Sequence, residues 1–301
     1  MSWRNAVNRF LVIVVLLCVA VFTRAQSSQP ALVVATEPNA IVWIDEVRRG
    51  TTDPAGKLSL AKLSPGRHTL RVRATGFKES VTPLLAGRRT IAVKLITTTD
   101  NAELMFQQAE TARDEARDDA AREKAADLYR ETLKLRAAYP AAQVGLARLL
   151  MDLNQPEKAH SAIDAARHAR PIYPEASAVE GRIYREEAFT DDAIRSFRRA
   201  IREGNVFQPE AHVGLARVLE EKGQMAEAVV EYKKAIDQLS DSEPIIYQLL
   251  GAAYEKLEKP KEAVVAYEKY LELAPNGSYA AAIKSILTQL KREAAGETII
   301  P

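Results

Sequence analysis

The sequence holds one cysteine, Cys18, and four histidines in 301 residues. That supply leaves no ligand set for a zinc finger or an iron–sulfur cluster. One long apolar run exists, at residues 10–22, so a multi-span membrane protein is excluded. Neither charge sign dominates: 42 Lys and Arg stand against 40 Asp and Glu. The basic excess of a dedicated nucleic-acid binder is therefore missing. No Gly-rich loop leads into Lys-Ser/Thr, and no Gly-x-Ser-x-Gly occurs, which excludes a P-loop and a nucleophile elbow. His68 falls in a predicted strand, His160 and His168 lie too far apart for an i, i+4 metal pair, and His212 stands alone. Asp114-Glu115 and Glu220-Glu221 sit on charged helices, where carboxylates are ordinarily solvated. Asn276-Gly277-Ser278 matches a glycosylation sequon but also supplies a turn after Pro275. Nothing here specifies an enzyme, a metal or a cofactor.

What is present is more informative. Apolar residues make 47% and charged residues 27%, which excludes wholesale disorder. The length suits one domain plus a repeat array. Arg4 and Arg9 precede the apolar run, and Thr23-Arg24-Ala25 follows it. This is the order of a secretory signal peptide over residues 1–25, with cleavage expected before Gln26. An uncleaved segment would instead anchor the chain to a membrane. Cys18 follows Leu17, not a small residue, so it does not read as a lipidation site. The expected location is the periplasm or cell envelope.

Two composition zones follow. Residues 31–97 are rich in Val, Thr, Gly and Pro and carry net charge +6; the remainder of the processed chain carries −7. Ala40-Ile41-Val42-Trp43-Ile44, His68-Thr69-Leu70-Arg71-Val72-Arg73 and Thr90-Ile91-Ala92-Val93-Lys94-Leu95 read as strands between turn residues, which predicts a small β-sandwich. The zone offers five motifs: Pro38-Asn39-Ala40, Ile44-Asp45, Gly50-Thr51-Thr52-Asp53-Pro54, Leu63-Ser64-Pro65-Gly66-Arg67-His68 and Gly76-Phe77. With these the zone resembles the PEGA domain. Asn39 stands where that family has glycine, and asparagine is the next-best residue for a positive φ. Glu46 also replaces a usual glycine, which predicts a looser hairpin. The resemblance implies an extracytoplasmic bacterial β module that contacts an envelope component. Period-2 geometry puts Arg71 and Arg73 on one strand face, extended by Arg67 and Thr69. That basic face is a candidate for an anionic envelope polymer or carbohydrate, with the bland alternative that it solvates an outer surface.

A short linker at 98–101 leads into a repeat. Ala125, Ala159, Ala193, Ala228 and Ala263 recur every 34 or 35 residues. Four positions on stand Tyr129, Ile163, Phe197, Tyr232 and Tyr267. Twelve positions before stand Arg113, Ala147, Gly181, Ala216 and Gly251. Small residues let paired helices approach, and large ones fill the space beside them. Asn154-Gln155-Pro156, Ala188-Phe189-Thr190, Lys222-Gly223-Gln224 and Glu258-Lys259-Pro260 supply turns. This pattern resembles the tetratricopeptide repeat (TPR). It predicts an all-α solenoid of about five helix pairs: a degenerate first unit at 102–140, repeats at 141–275 and a capping helix at 278–293. Arg113 and a Pro140 three residues late mark the first unit as degenerate.

The resemblance implies a concave groove, faced by the residue after each small one: Arg148, Arg182 and Arg217. These form a ladder that suits an acidic segment of a protein partner, because arginine binds carboxylates as a fork. Each has an acid four residues on, Asp152, Glu186 and Glu221, so solvated i, i+4 pairs are the alternative; with Glu220 and Glu255 these acids would set register. The array lacks the two-lysine, two-asparagine clamp of chaperone-tail binders. The sequence thus reads as an exported, non-enzymatic scaffold. The other readings are a polymer-binding module with the repeats as spacer, an accessory subunit of an enzyme complex, and a hydrolase whose site the sequence hides.

Overall fold

A computed structural model describes residues 32–296, apart from 46, 61–62, 64–66, 86–87, 206 and 240–242. The signal-like segment and parts of two turn motifs, including Glu46, fall outside the described residues. The β region begins with β1 (Leu32–Ala35), β2 (Ile41–Ile44), β3 (Val47–Thr51), β4 (Lys57–Leu60) and β5 (Arg67–Arg73). It continues with β6 (Phe77–Lys78), β7 (Ser80–Leu85), β8 (Thr90–Ala92) and β9 (Ile96–Thr97). Two sheets form, in order β4-β1-β8 and β3-β2-β5-β7, beside the β6-β9 ribbon. The larger sheet is antiparallel throughout, while β8 runs parallel to β1. Alternation sends Val34, Val42, Ile44, Leu70 and Val72 into the core between the sheets. Asn39 takes φ 56°, so asparagine holds the turn that a glycine was expected to hold. Thr52 locks that turn by accepting from the Ala40 N–H and donating to the Glu37 carbonyl.

Ten helices then form five antiparallel pairs: α1 (Asn101–Glu115) with α2 (Asp119–Leu135), α3 (Pro140–Asp152) with α4 (Pro156–Ala169), α5 (Pro174–Glu186) with α6 (Thr190–Glu203), α7 (Pro209–Glu221) with α8 (Met225–Leu239), and α9 (Ile245–Lys256) with α10 (Pro260–Leu273). Helix α11 (Ala280–Ala295) packs on α10 and buries Ile283 and Leu290. Asp100 caps α1 by accepting from the N–H groups of Ala102 and Glu103, which ends the linker. Pro140, Pro174 and Pro209 each open the first helix of a pair, where a missing N–H costs nothing. Pro140 is therefore an in-register helix start, not a displaced closing proline.

The alanine series is fully buried, as are its aromatic companions Tyr129 and Tyr232. Phe197 on α6 lies between Gly181 on α5 and Gly214 on α7; a Cβ at Gly181 would come within 2.8 Å of the ring. The hairpins share one cap. Asn154, Ala188, Gly223 and Glu258, at 34- and 35-residue spacing, all adopt left-handed φ between 56° and 76°. In each, the following N–H reaches back to a carbonyl five residues earlier, as Gln155 to Leu150 at 2.8 Å and Phe189 to Tyr184 at 2.8 Å.

Candidate functional site

The β region and the helical array meet. The larger sheet presents Ile41 and Trp43 of β2 beside Arg73 and Arg71 of β5, paired in that order across the strands. The Arg71 guanidinium lies 4.3 Å from the Trp43 ring centroid. This face is turned toward the first helices of the pairs, not toward solvent. Between them remains a cavity of about 710 Å³.

Three groups of contacts fasten the two parts. Arg73 is only 6% exposed. Its Nε donates to Glu79 at 2.9 Å and its Nη1 to Glu110 of α1 at 3.0 Å, and it stacks 4.7 Å from the Phe106 centroid. Burial alone would lower its pKa, but Glu79 and Glu110 raise it. The Gln107 amide donates to the Phe77 carbonyl and accepts from the Gly76 N–H. At the far side, Arg49 of β3 donates to the carbonyls of Leu239 and Gln238 at 3.1 and 3.2 Å. Those carbonyls end α8, where the helix dipole is negative. Arg48 reaches Asp114 of α1 at 3.1 Å. The β3 hairpin thus bridges α1 and α8.

The concave wall is itself paired. Arg148 of α3 donates through both Nη atoms to Glu210 of α7 at 2.9 Å, and to Glu175 of α5 at 3.4 Å. Arg182 pairs with Asp152 at 2.9 Å, and Arg185 with Glu221 at 2.9 Å. The acids four residues beyond Arg148 and Arg217 thus serve other arginines, so the bonds join repeats instead of closing i, i+4 pairs. Arg217 is half-buried, and no ion pair reaches it among the described residues. Glu186 is more than half exposed, 3.7 Å from Arg185. Glu220 and Glu255 accept from the hydroxyls of Tyr232 and Tyr267. Burial would raise the Glu175 pKa, yet Arg148, Arg71 and Arg113 hold it below the ordinary value. Arg71 of β5 therefore acts electrostatically on the helical wall.

Arg148, Arg182, Arg71 and Arg73 all line this cavity. Arg217 does not, and Arg67 enters the description only through its pairing with Leu85. The expected outer basic face is an inner face, because the acidic wall offers its arginines carboxylates at close range. Phe106, Glu110, Gln107, Arg48 and Arg49 escaped the sequence reading. Their partners lie 30 to 190 residues away, and only the opposite charges of the two zones hint at the meeting. Among the described residues no cluster of His, Cys, Asp and Glu can hold a metal, and no helix is long and apolar enough to cross a membrane.

Antiparallel helix pairs stacked at a 34–35-residue period, with a small residue facing a large apolar one in each pair, define an α-solenoid of the interaction-scaffold class. Matches to three tetratricopeptide-repeat family models cover residues 116–183, 179–244 and 244–277. The chain carries a tetratricopeptide-repeat array. No PEGA match was found for the β region, and no curated protein matches the chain. Solved structures of similar fold include PilF of Pseudomonas aeruginosa, at 14% identity and TM-score 0.55, covering 65% of this chain and 88% of that one. PilW, described as a type IV pilus biogenesis factor, gives 13% identity and TM-score 0.56, covering 66% and 90%. The APC/C hetero-tetramer Cut9–Hcn1 gives 13% identity and TM-score 0.55; the match spans 64% of this chain and 36% of that chain.

Proposed function

We propose that this protein is an exported, non-enzymatic scaffold that holds a segment of a partner protein against the concave wall of its repeats. The observation that carries this is the cavity of about 710 Å³ between the sheet face and the first helices. Its size suits a few residues of an extended chain. Ile41, Val47, Val213 and Ile245 give it an apolar side, and the arginine–carboxylate network gives it a charged side. Turn signatures such as Pro38-Asn39-Ala40 keep the β region close to PEGA modules in character. Its arginine face, however, is engaged by Glu79 and Glu110. An anionic polymer is thus the weaker reading.

Site-resolved crosslinking tests the proposal. A photoreactive residue at Val213, on the cavity, should capture a partner in the native host. The same residue at Val265, 67% exposed on α10, should not. Capture from Val265 alone would place the interaction on the outer surface and contradict the proposal.

A further inference from the structure

The β region enters the groove as a ligand would. It turns the face of its larger sheet toward the first helices and places Arg73 against Phe106 and Glu110. It sets a second arginine on the carbonyls that end α8 and a third on Asp114. A module of net charge +6 faces an array of −7, so the attraction extends beyond these contacts. The seat is not filled. Between the β region and the first helices a cleft of about 710 Å³, partly open to solvent, remains uncovered by either. Polar, loosely packed interfaces between domains separate readily.

We propose that the β region is a built-in competitor for the groove, and that the partner segment it yields to is a basic, arginine-bearing extended strand. This rests on the reading that the groove takes a partner segment, and it names that segment's charge. The wall's arginines that line the cavity are already held by its own acids: Arg148 by Glu210 and Glu175, Arg182 by Asp152. The groups with which the wall meets the β region's arginines are Glu110 and Asp114, which Arg113 also bridges, and the aromatic ring of Phe106. A guanidinium satisfies all three, through charge-assisted bonds and stacking. An acidic strand would meet Glu110 and Asp114 with like charge. When the partner's arginine takes the seat of Arg73, the β region leaves the wall and its sheet face, with Trp43 and Arg71, becomes accessible.

The test is titration of the full chain with a fluorescein-labelled peptide copying residues 69–77, and with a second peptide carrying glutamate at both arginine positions. Arg49→Ala removes an anchor on α8 without touching Glu110 or Asp114. It should raise affinity for the arginine peptide at least about tenfold, through the loss of two charged hydrogen bonds from the competing contact. Adding Glu110→Gln, or independently Asp114→Asn, should cancel that gain, with circular dichroism confirming the fold. Equal affinity of wild type and Arg49→Ala, or no binding of the arginine peptide to either, overturns the inference. Preference for the glutamate peptide, lost on Arg182→Ala, overturns it too while leaving the scaffold reading intact.

Discussion

The Arg73 guanidinium stacks on the Phe106 ring at 4.7 Å and bonds to Glu110 one helical turn further on. One side chain from the β region thus occupies an aromatic-and-acid seat on the first repeat helix. The same helix carries Arg113, which stands where the other repeats keep a small residue. Arg113 is committed to Glu110, Asp114 and the Tyr129 hydroxyl. Arg113 thus joins the two acids of α1 that also receive Arg73 and Arg48 of the β region.

Packing around Phe197 should be unforgiving. Its ring sits against Gly181 and Gly214 on flanking helices. Gly181→Leu should destabilise by about 1–3 kcal/mol through overpacking. Thermal unfolding followed by circular dichroism reads the effect; an unchanged midpoint would refute the register.

The hairpin caps offer the opposite effect. Ala188 sits at φ 62°, in the left-handed region that side chains disfavour. Ala188→Gly should stabilise by up to about 1 kcal/mol, the relief of strain exceeding glycine's added chain entropy. Glu258→Gly, at φ 56°, should act in the same direction. A fall in melting temperature for both would show that these turns are not strained.

Acid should weaken the array through Glu231. Burial would raise its pKa, but hydrogen bonds from His212 and Lys234 hold it below the ordinary value of 4.5. A depressed carboxyl binds fewer protons folded than unfolded. Its contribution is therefore full above about pH 5 and is lost as pH falls through the folded value. Glu231→Gln should flatten the decline in unfolding free energy below pH 4.5. An identical acid slope in the variant would remove Glu231 from the account of acid sensitivity.

The signal-like segment should be absent from the functioning protein. Sequencing the N-terminus of material from the native host should give Gln26 or a close neighbour. Intact Met1 on cytosolic protein would contradict export.

Much of the solenoid was legible because its core is periodic. Ala159, Ala193 and Ala228 announce the helix contacts, and Asn154 and Gly223 announce the hairpins. Residues as different as Ala188 and Glu258 occupy the same cap, so the left-handed turn there comes from its place between packed helices, not from its residue type. The sandwich was legible through its turns, with Asn39 at the expected φ. The site was legible only in part. Arg148 and Arg182 were recognisable as concave from the repeat register. Their bonds to Glu210 and Asp152 depend on superhelical curvature, which brings α3 within reach of α7 and has no local signal. Arg73 was read correctly as facing away from the sandwich core. What it faces, a carboxylate 37 residues away, follows from how two domains dock.

Docking of the β region in the groove is the central claim, and an intramolecular distance measures it directly. Cys18 is the only cysteine, so residues 26–301 accept dyes at cysteines placed at Val81 and Val230, which are 57% and 50% exposed. Energy transfer between them should fall as salt rises from about 0.05 M to about 0.5 M, because the Debye length shrinks from roughly 14 to 4 Å. It should fall further in Arg49→Ala and on adding the arginine peptide. Transfer that stays constant across salt, variant and peptide would mean that the β region never leaves the wall and would contradict its role as the groove's competitor.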